Sequence, residues 1–161
     1  MHPNVDRVVA AARAAGVDIR PERFAEGTRT AADAARSVGC EVGQIVKSLV
    51  FVAGDEPLLA LVSGANRADL ARIGRELGAD TVRRADAAEA RAATGFSIGG
   101  VPPFGHDRVL RVLVDRDLTR YPVVWAAAGL PDATFPISSA DLVRVSGGRV
   151  VELAEAATMA G

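Results

Sequence analysis

The sequence predicts one α/β domain, residues 1–161, built around a mixed sheet. Strand-like runs come partly as hairpins and partly separated by short helical segments, which favours this architecture over a doubly wound one. The 161 residues are 49% apolar, enough for one hydrophobic core. No G-x-G-x-x-G motif opens a helix, so a dinucleotide-binding Rossmann fold is not expected. No linker, repeat or low-complexity segment divides the chain.

Helix signals open the chain. Apolar residues recur at helical spacing through residues 5–12 and predict a first helix that ends at Gly16. The motif Thr30-x-x-Asp33 has the form of a capping box, so it predicts a second, shorter helix that ends near Gly39.

A hairpin and a third helix follow. Residues 45–53 are rich in β-branched side chains and predict a strand, and the turn-forming cluster at 54–57 connects it to a partner strand at 58–62. Asn66 is the predicted N-cap of the third helix, which ends at Gly78.

The second half of the chain contains shorter elements. Asp86-x-x-Glu89 predicts the start of a fourth helix. Residues 94–105 hold four glycines and two prolines, too many for a regular element, but their apolar side chains predict an ordered loop. The remaining predicted elements are strands at 109–114, 123–127 and 150–153 and a helix opened by Ser138-x-x-Asp141.

Charge and cysteine content exclude several classes of protein. Nineteen basic and 20 acidic residues leave a net charge of -1, which excludes a polybasic nucleic-acid coat and a membrane-surface protein. One cysteine, Cys40, excludes a disulfide framework and a cysteine-rich zinc site. No apolar run approaches the roughly 20 residues that span a bilayer, and no secretion signal begins the chain. We therefore expect a soluble, unprocessed cytoplasmic protein without membrane contact.

Lys47 is the only lysine, beside 18 arginines. In the predicted strand it shares a face with Ile45, Leu49 and Phe51, where an unpaired ammonium is costly to bury. It must therefore reach water, pair with a carboxylate, or line a pocket built for an anionic group. A lysine left by chance on an exposed strand edge is the structural alternative.

The segment Gly99-Gly100-Val101-Pro102-Pro103 is the second candidate feature. Glycines let backbone N–H groups approach a substrate oxygen closely, and prolines stiffen the loop, so the segment can cradle an oxyanion or carboxylate. A tight structural turn is the alternative interpretation.

His106 and Asp115 are weaker candidates. His106 follows the glycine-rich loop and titrates near neutral pH, while Asp115 and Asp117 follow a strand end and can bind a metal or accept a proton. A surface histidine and a strand-terminating turn are the favoured interpretations of these residues. With only His2 and His106 in the chain, a histidine-based metal cluster is not expected.

Several segments together resemble the YbaK/aminoacyl-tRNA deacylase family, which includes the editing domain associated with prolyl-tRNA synthetase. The resemblance covers residues 30–151 and rests on the ordered combination of its motifs. These are QIVKSLVF at 44–51, LVSG at 61–64, TGFSIGGVPPFGH at 94–106, Val114-Asp115 and Asp141-Leu142.

The resemblance implies a curved, mixed, largely antiparallel sheet with packed helices and a free-standing enzyme that deacylates mischarged tRNA. It implies a catalytic Lys47 and an aminoacyl pocket formed by residues 99–103, with no cofactor or metal. Ser48, His106 and Asp115 are included as candidate substrate contacts, and Asp115 also as a residue that orients Lys47. Ser48, the residue after the lysine, is closer to the cysteine-clearing branch than to the alanine-specific branch.

The implied substrate is a small amino acid, Cys, Ala or Ser, on tRNA-Pro, and the implied partners are the acceptor end of that tRNA and prolyl-tRNA synthetase. A binding module that holds the aminoacyl or nucleotide end without cleaving it is the alternative. Five arginines form either a tRNA-facing patch or a solvated helix face, namely Arg67, Arg72, Arg75, Arg83 and Arg84.

Overall fold

The computed structural model describes residues 2–24 and 30–156 and confirms the mixed α/β class. Five α-helices lie in this part of the chain: α1 (Pro3–Ala14), α2 (Ala31–Val38), α3 (Leu70–Leu77), α4 (Ala87–Thr94) and α5 (Ser139–Ser146). The strands are β1 (Glu22–Arg23), β2 (Val46–Ala53), β3 (Glu56–Ser63), β4 (Val82–Arg84), β5 (Arg111–Asp115), β6 (Val123–Ala127), β7 (Ala133–Ser138) and β8 (Arg149–Val151). None of the described helices has the length and apolar character needed to cross a bilayer.

The strands form two sheets rather than one. The larger sheet has the order β4-β2-β3-β5-β8, in which β2 is antiparallel to β3 and β4 while β5 is parallel to β3 and β8. The smaller sheet is antiparallel, with the order β1-β7-β6. A single parallel bridge between Ile45 and Trp125 joins the start of β2 to β6.

The predicted hairpin is present but tighter than expected. Val46 pairs with Ser63 and Ala53 pairs with Glu56, so only Gly54 and Asp55 remain in the loop. Gly54 has φ +64°, the left-handed conformation that a two-residue hairpin turn favours. The second strand therefore begins within the predicted turn cluster.

Most predicted helix starts are confirmed. Both capping boxes form, at Thr30 and Asp86, and Ser138 caps α5. The predicted cap of α3 is wrong, because Asp69 and not Asn66 accepts the N–H groups of the first turn. Asn66 lies three residues earlier, and its side chain turns toward β5.

Three short strands were not predicted: β1, β4 and β7. The first two span two and three residues, too few to show a sequence period. Strand β7 contains Pro136, which argues against an interior strand position. Within residues 2–24 and 30–156, β1 pairs only with Ala133 and Thr134, so no described strand covers this edge of β7 at Pro136, and a proline is tolerated at such an edge.

The larger sheet carries a buried apolar cluster on each face. The main cluster includes residues of both sheets, among them Val50, Leu61 and Phe135, together with Phe96 of the glycine-rich segment. The smaller cluster packs Phe51 and its neighbours beneath α3. Burial of Phe96, Val101 and Phe104 confirms that the segment 94–105 is an ordered loop.

Candidate active site

A cavity of about 360 Å³ lies between the start of β2, the glycine-rich loop and the smaller sheet. It forms because β4 pairs with β2 only from Phe51 onward while β6 contacts it at Ile45, leaving the edge between them open in the described part of the chain. Residues that line the cavity include Val46, Lys47, Ser48, Val50, Arg84, Ala90, Gly99, Val101, Trp125, Pro131 and Thr134.

The peptide group of Ser48 points out of the open edge of β2, toward the cavity. The Ala85 N–H donates to the Val50 carbonyl from the β4 side, and the Gly64 N–H donates to the Ile45 carbonyl from the β3 side. Peptide groups alternate in direction along a strand, so the Ser48 group points the same way as that of Val50. The cavity wall therefore carries backbone donors and acceptors as well as side chains.

Lys47 is partly buried at this wall. Its Nζ donates a hydrogen bond to the main-chain carbonyl of Asn66, and no carboxylate in the described residues lies within ion-pair distance of it. Burial is the main cause that lowers the pKa of Lys47 below its ordinary value, with the positive charges of Arg67 and Arg84 acting in the same direction. The negative charge of Asp115 partly opposes this shift. The ammonium is thus available to an incoming anionic or carbonyl oxygen.

Ser48 presents a buried hydroxyl to the same region. Among the described residues, its Oγ is the one buried side-chain oxygen or nitrogen without a hydrogen-bond partner. An unpaired buried hydroxyl costs about 1–3 kcal/mol, so a polar substrate atom that bonds to it would recover that free energy. The geometry is consistent with the expectation that Ser48 contacts substrate.

The glycine-rich segment contributes to the cavity only in part. Gly99 and Val101 line it, whereas Gly100, Pro102 and Pro103 are buried behind it. A Cβ added at Gly100 would lie 2.9 Å from the backbone of Leu130. Glycine is therefore needed at position 100 because the backbone of Leu130 lies close to it.

His106 supports the loop from behind and does not line the cavity. Its Nε2–H donates to the Pro102 carbonyl at 2.7 Å, and its ring meets Phe96 edge to face at 6.4 Å between centroids. Burial lowers the pKa of His106, so the neutral ring that donates this hydrogen bond is favoured. This position makes His106 a support for the loop conformation.

Asp115 is also outside the cavity, 1% exposed at the end of β5. Its Oδ2 accepts from the Ser63 N–H at 3.0 Å and from Asn66 Nδ2 at 2.9 Å. Because Asn66 in turn accepts from Lys47, Asp115 reaches the lysine through one intermediate residue. In the described residues no three His, Cys, Asp or Glu side chains cluster as metal ligands.

The five arginines divide between the two interpretations, and Arg75 is exposed on α3. Arg72 pairs with Glu152 at 2.9 Å and Arg83 with Glu89 at 2.7 Å, as on a solvated face. Arg84 lines the cavity, and both Arg67 and Arg84 lie close enough to affect Lys47. Of these two, only Arg84 is placed to meet an anionic ligand in the cavity.

The residues of the cavity wall opposite β2 were not predicted from the sequence. This wall includes Trp125 on β6, Pro131 in the following turn and Thr134 on β7. Prediction of β7 would have revealed a β6–β7 hairpin, but only the tertiary structure places its turn beside the glycine-rich loop.

Comparison with known proteins identifies the family. Residues 25–145 match the family model described as the aminoacyl-tRNA editing domain. The matched range contains the cavity-lining parts of β2, the glycine-rich loop and the smaller sheet.

Curated relatives are proline–tRNA ligases. The chain is 30% identical over 115 residues to the ligase of Lactobacillus helveticus, covering 71% of this chain and 20% of the ligase. It is 34% identical over 92 residues to that of Nitratidesulfovibrio vulgaris strain DP4, covering 57% of this chain and 16% of the ligase. The chain therefore spans a fifth or less of these relatives.

A solved structure matches over almost the whole length. It is a crystal structure of a protein proposed to be a trans-editing enzyme for prolyl tRNA synthetase, with 44% identity and a TM-score of 0.92. The match covers 97% of this chain and 99% of the other. Together with the family model, which covers well over half of the residues, it confirms the resemblance seen in the sequence: the chain belongs to the aminoacyl-tRNA editing domain family.

Proposed function

We propose that the protein is a free-standing, cytoplasmic hydrolase that acts in trans to deacylate tRNA-Pro carrying a small wrong amino acid, Cys, Ala or Ser. The observation that carries this proposal is the position of Lys47, whose ammonium lies at the wall of the cavity with a main-chain carbonyl as its hydrogen-bond partner. Family membership and the similarity to a proposed trans-editing enzyme for prolyl tRNA synthetase support the same conclusion.

An aminoacyl ester needs little activation. Water attacks the ester carbonyl carbon, negative charge develops on the carbonyl oxygen, and the bond to the ribose oxygen then breaks. The ribose oxygen regains a proton and the free amino acid leaves. Catalysis chiefly requires a positioned water and stabilisation of the oxyanion, without a covalent protein nucleophile.

Lys47 supplies the positive charge in this scheme. Its ammonium holds either the scissile carbonyl oxygen or the terminal phosphate of the tRNA, and either contact places the ester at the open edge of β2. A partly buried cation interacts more strongly with such an oxygen than an exposed one, because less water screens the charge. A ribose hydroxyl of the substrate can assist in activating water.

The cavity lining combines apolar and polar side chains. Val50, Ala90 and Val101 supply apolar surface, while Ser48 supplies a hydroxyl that can bond to a polar group of the substrate. We expect larger side chains to be disfavoured, but one methylene changes discrimination by only about 10 to 200-fold. We therefore expect overlapping activity among alanyl, seryl and cysteinyl esters.

The direct test is a deacylation panel. The protein is incubated with tRNA-Pro charged with alanine, serine, cysteine or proline, and with a tRNA charged with phenylalanine as the bulky control. We expect release of one or more of the small amino acids and little release of phenylalanine. Tight tRNA binding with no release of any amino acid would instead support the non-catalytic binding module.

Docking on prolyl-tRNA synthetase is part of the proposal, supported by the relation to proline–tRNA ligases. A panel repeated with the synthetase present tests it, because docking should raise the rate at limiting tRNA. An unchanged rate, together with no co-sedimentation, would argue against this partner.

A further inference from the structure

The side chain of Asn66 is held by two carboxylates at the end of β5. Its Nδ2 donates to Asp115 Oδ2 at 2.9 Å and to Asp117 Oδ2 at 2.7 Å. The main-chain carbonyl of the same residue accepts the hydrogen bond from Lys47 Nζ. Asn66 therefore connects the carboxylate pair to the lysine at the cavity.

The carboxylate pair is itself rigidly placed. Asp115 is 1% exposed, and its two oxygens also accept from the main-chain N–H groups of Ser63 and Asp117 at 3.0 and 2.9 Å. Asp117 is further paired with Arg120 at 3.3 Å. Because β3 and β5 are parallel neighbours, their C-terminal ends lie side by side. Asn66, which follows β3, is therefore close to Asp115 at the end of β5.

An amide suits the position between these groups. The two N–H donors of an asparagine satisfy two carboxylates at once, whereas an aspartate would add a third negative charge and a serine has a single donor. The contacts with Asp115 and Asp117 account for an asparagine at position 66, whereas α3 is capped by Asp69.

We propose that Asn66 is a positioning residue, which the Asp115–Asp117 pair holds so that its carbonyl keeps the Lys47 ammonium at the cavity wall. This inference rests on the role given to Lys47 in the proposed function. Under this proposal, Lys47 contacts the substrate and Asn66 fixes the position of the Lys47 ammonium.

The single lysine makes the test selective. Protein labelled with ¹³C at lysine Cε gives one side-chain signal, whose chemical shift against pH reports the protonation of Lys47 directly. Asn66→Ala and Asn66→Ser are compared with the unmodified protein. The control is Ser138→Ala, which removes the cap of α5 and lowers stability without touching the site.

We expect Asn66→Ala to lower the titration midpoint of Lys47 by about 0.5 units or more, because the carboxylates no longer hold the main-chain carbonyl that accepts from the ammonium. The kcat of Asn66→Ala should fall about tenfold or more with a small change in KM. Asn66→Ser keeps one donor, so its kcat should lie between those of Asn66→Ala and the unmodified protein. Ser138→Ala should leave the lysine signal and kcat unchanged.

A wild-type titration midpoint in Asn66→Ala would overturn the inference, as would a shifted midpoint with an unchanged kcat. If the unmodified protein releases no amino acid from any tRNA, the proposed function fails on its own. The lysine signal alone then decides whether Asn66 holds Lys47 in place.

Discussion

Lys47 and Ser48 lie on opposite faces of β2 and yet line the same cavity. Side chains alternate along a strand, so Ser48 shares the face of Val50 in the main apolar cluster, and Lys47 shares the face of Phe51 in the smaller one. Both reach the cavity because the edge of β2 is open there. One dipeptide thus presents a cation, a hydroxyl and a peptide group at the same cavity.

Removal of the ammonium should abolish deacylation. Lys47→Ala removes the charge, and Lys47→Arg should also fail because a planar guanidinium cannot occupy the position of a compact ammonium held by the Asn66 carbonyl. Single-turnover release of the amino acid from mischarged tRNA measures the effect, and thermal unfolding checks that each variant folds. Wild-type turnover in Lys47→Ala would refute the assignment of Lys47.

Neutralisation of Arg84 should raise the pKa of Lys47. The positive charge of Arg84 contributes to the lowered pKa, so Arg84→Gln favours the charged ammonium and moves its deprotonation to higher pH. If the charged form is active, the alkaline limb of the pH–rate profile moves in the same direction. The ¹³C signal of the single lysine measures the pKa shift. Arg111→Gln is the matched control, since Arg111 is not among the causes of that shift.

Ser48→Ala should separate stability from activity. The hydroxyl bonds to no described residue, so its removal should change the free energy of unfolding by less than about 0.5 kcal/mol or increase it. If the hydroxyl bonds to substrate, kcat/KM should fall about tenfold for the preferred aminoacyl-tRNA. Urea unfolding and steady-state deacylation measure the two effects. A large loss of stability with full activity would contradict this role.

Gly100→Val should destabilise the fold as well as the site. An added Cβ would lie 2.9 Å from the backbone of Leu130, so the loop must move, at a cost of about 1–3 kcal/mol. The same movement displaces Gly99 and Val101, and activity should fall with stability. Gly16→Ala is the comparison, since a Cβ there meets nothing within 4 Å and only the positive φ of +82° opposes it. Equal stability of Gly100→Val and wild-type protein would show that the loop adapts.

The family and the class of fold could be predicted from the sequence, because motifs and hydrophobic periods are local properties of the chain. Residues 44–51 show both the strand period and the family pattern, and the capping boxes at Thr30 and Asp86 form as predicted. The hydrogen bonds of a capping box join residues only three positions apart, so they need no distant residue, and these predictions are therefore confirmed.

What only the tertiary structure decided is which of the candidates meet. Lys47, Ser48, Gly99 and Val101 line one cavity, whereas His106 bonds to the loop at Pro102 and Asp115 contacts Asn66 outside the cavity. The sequence by itself determined the chemistry present in the chain: one ammonium, a glycine-rich loop and a nearly neutral net charge. Contacts between residues about 50 positions apart, such as Asn66 with Asp115, depend on strand order and on the open edge of β2, and no local pattern encodes either one.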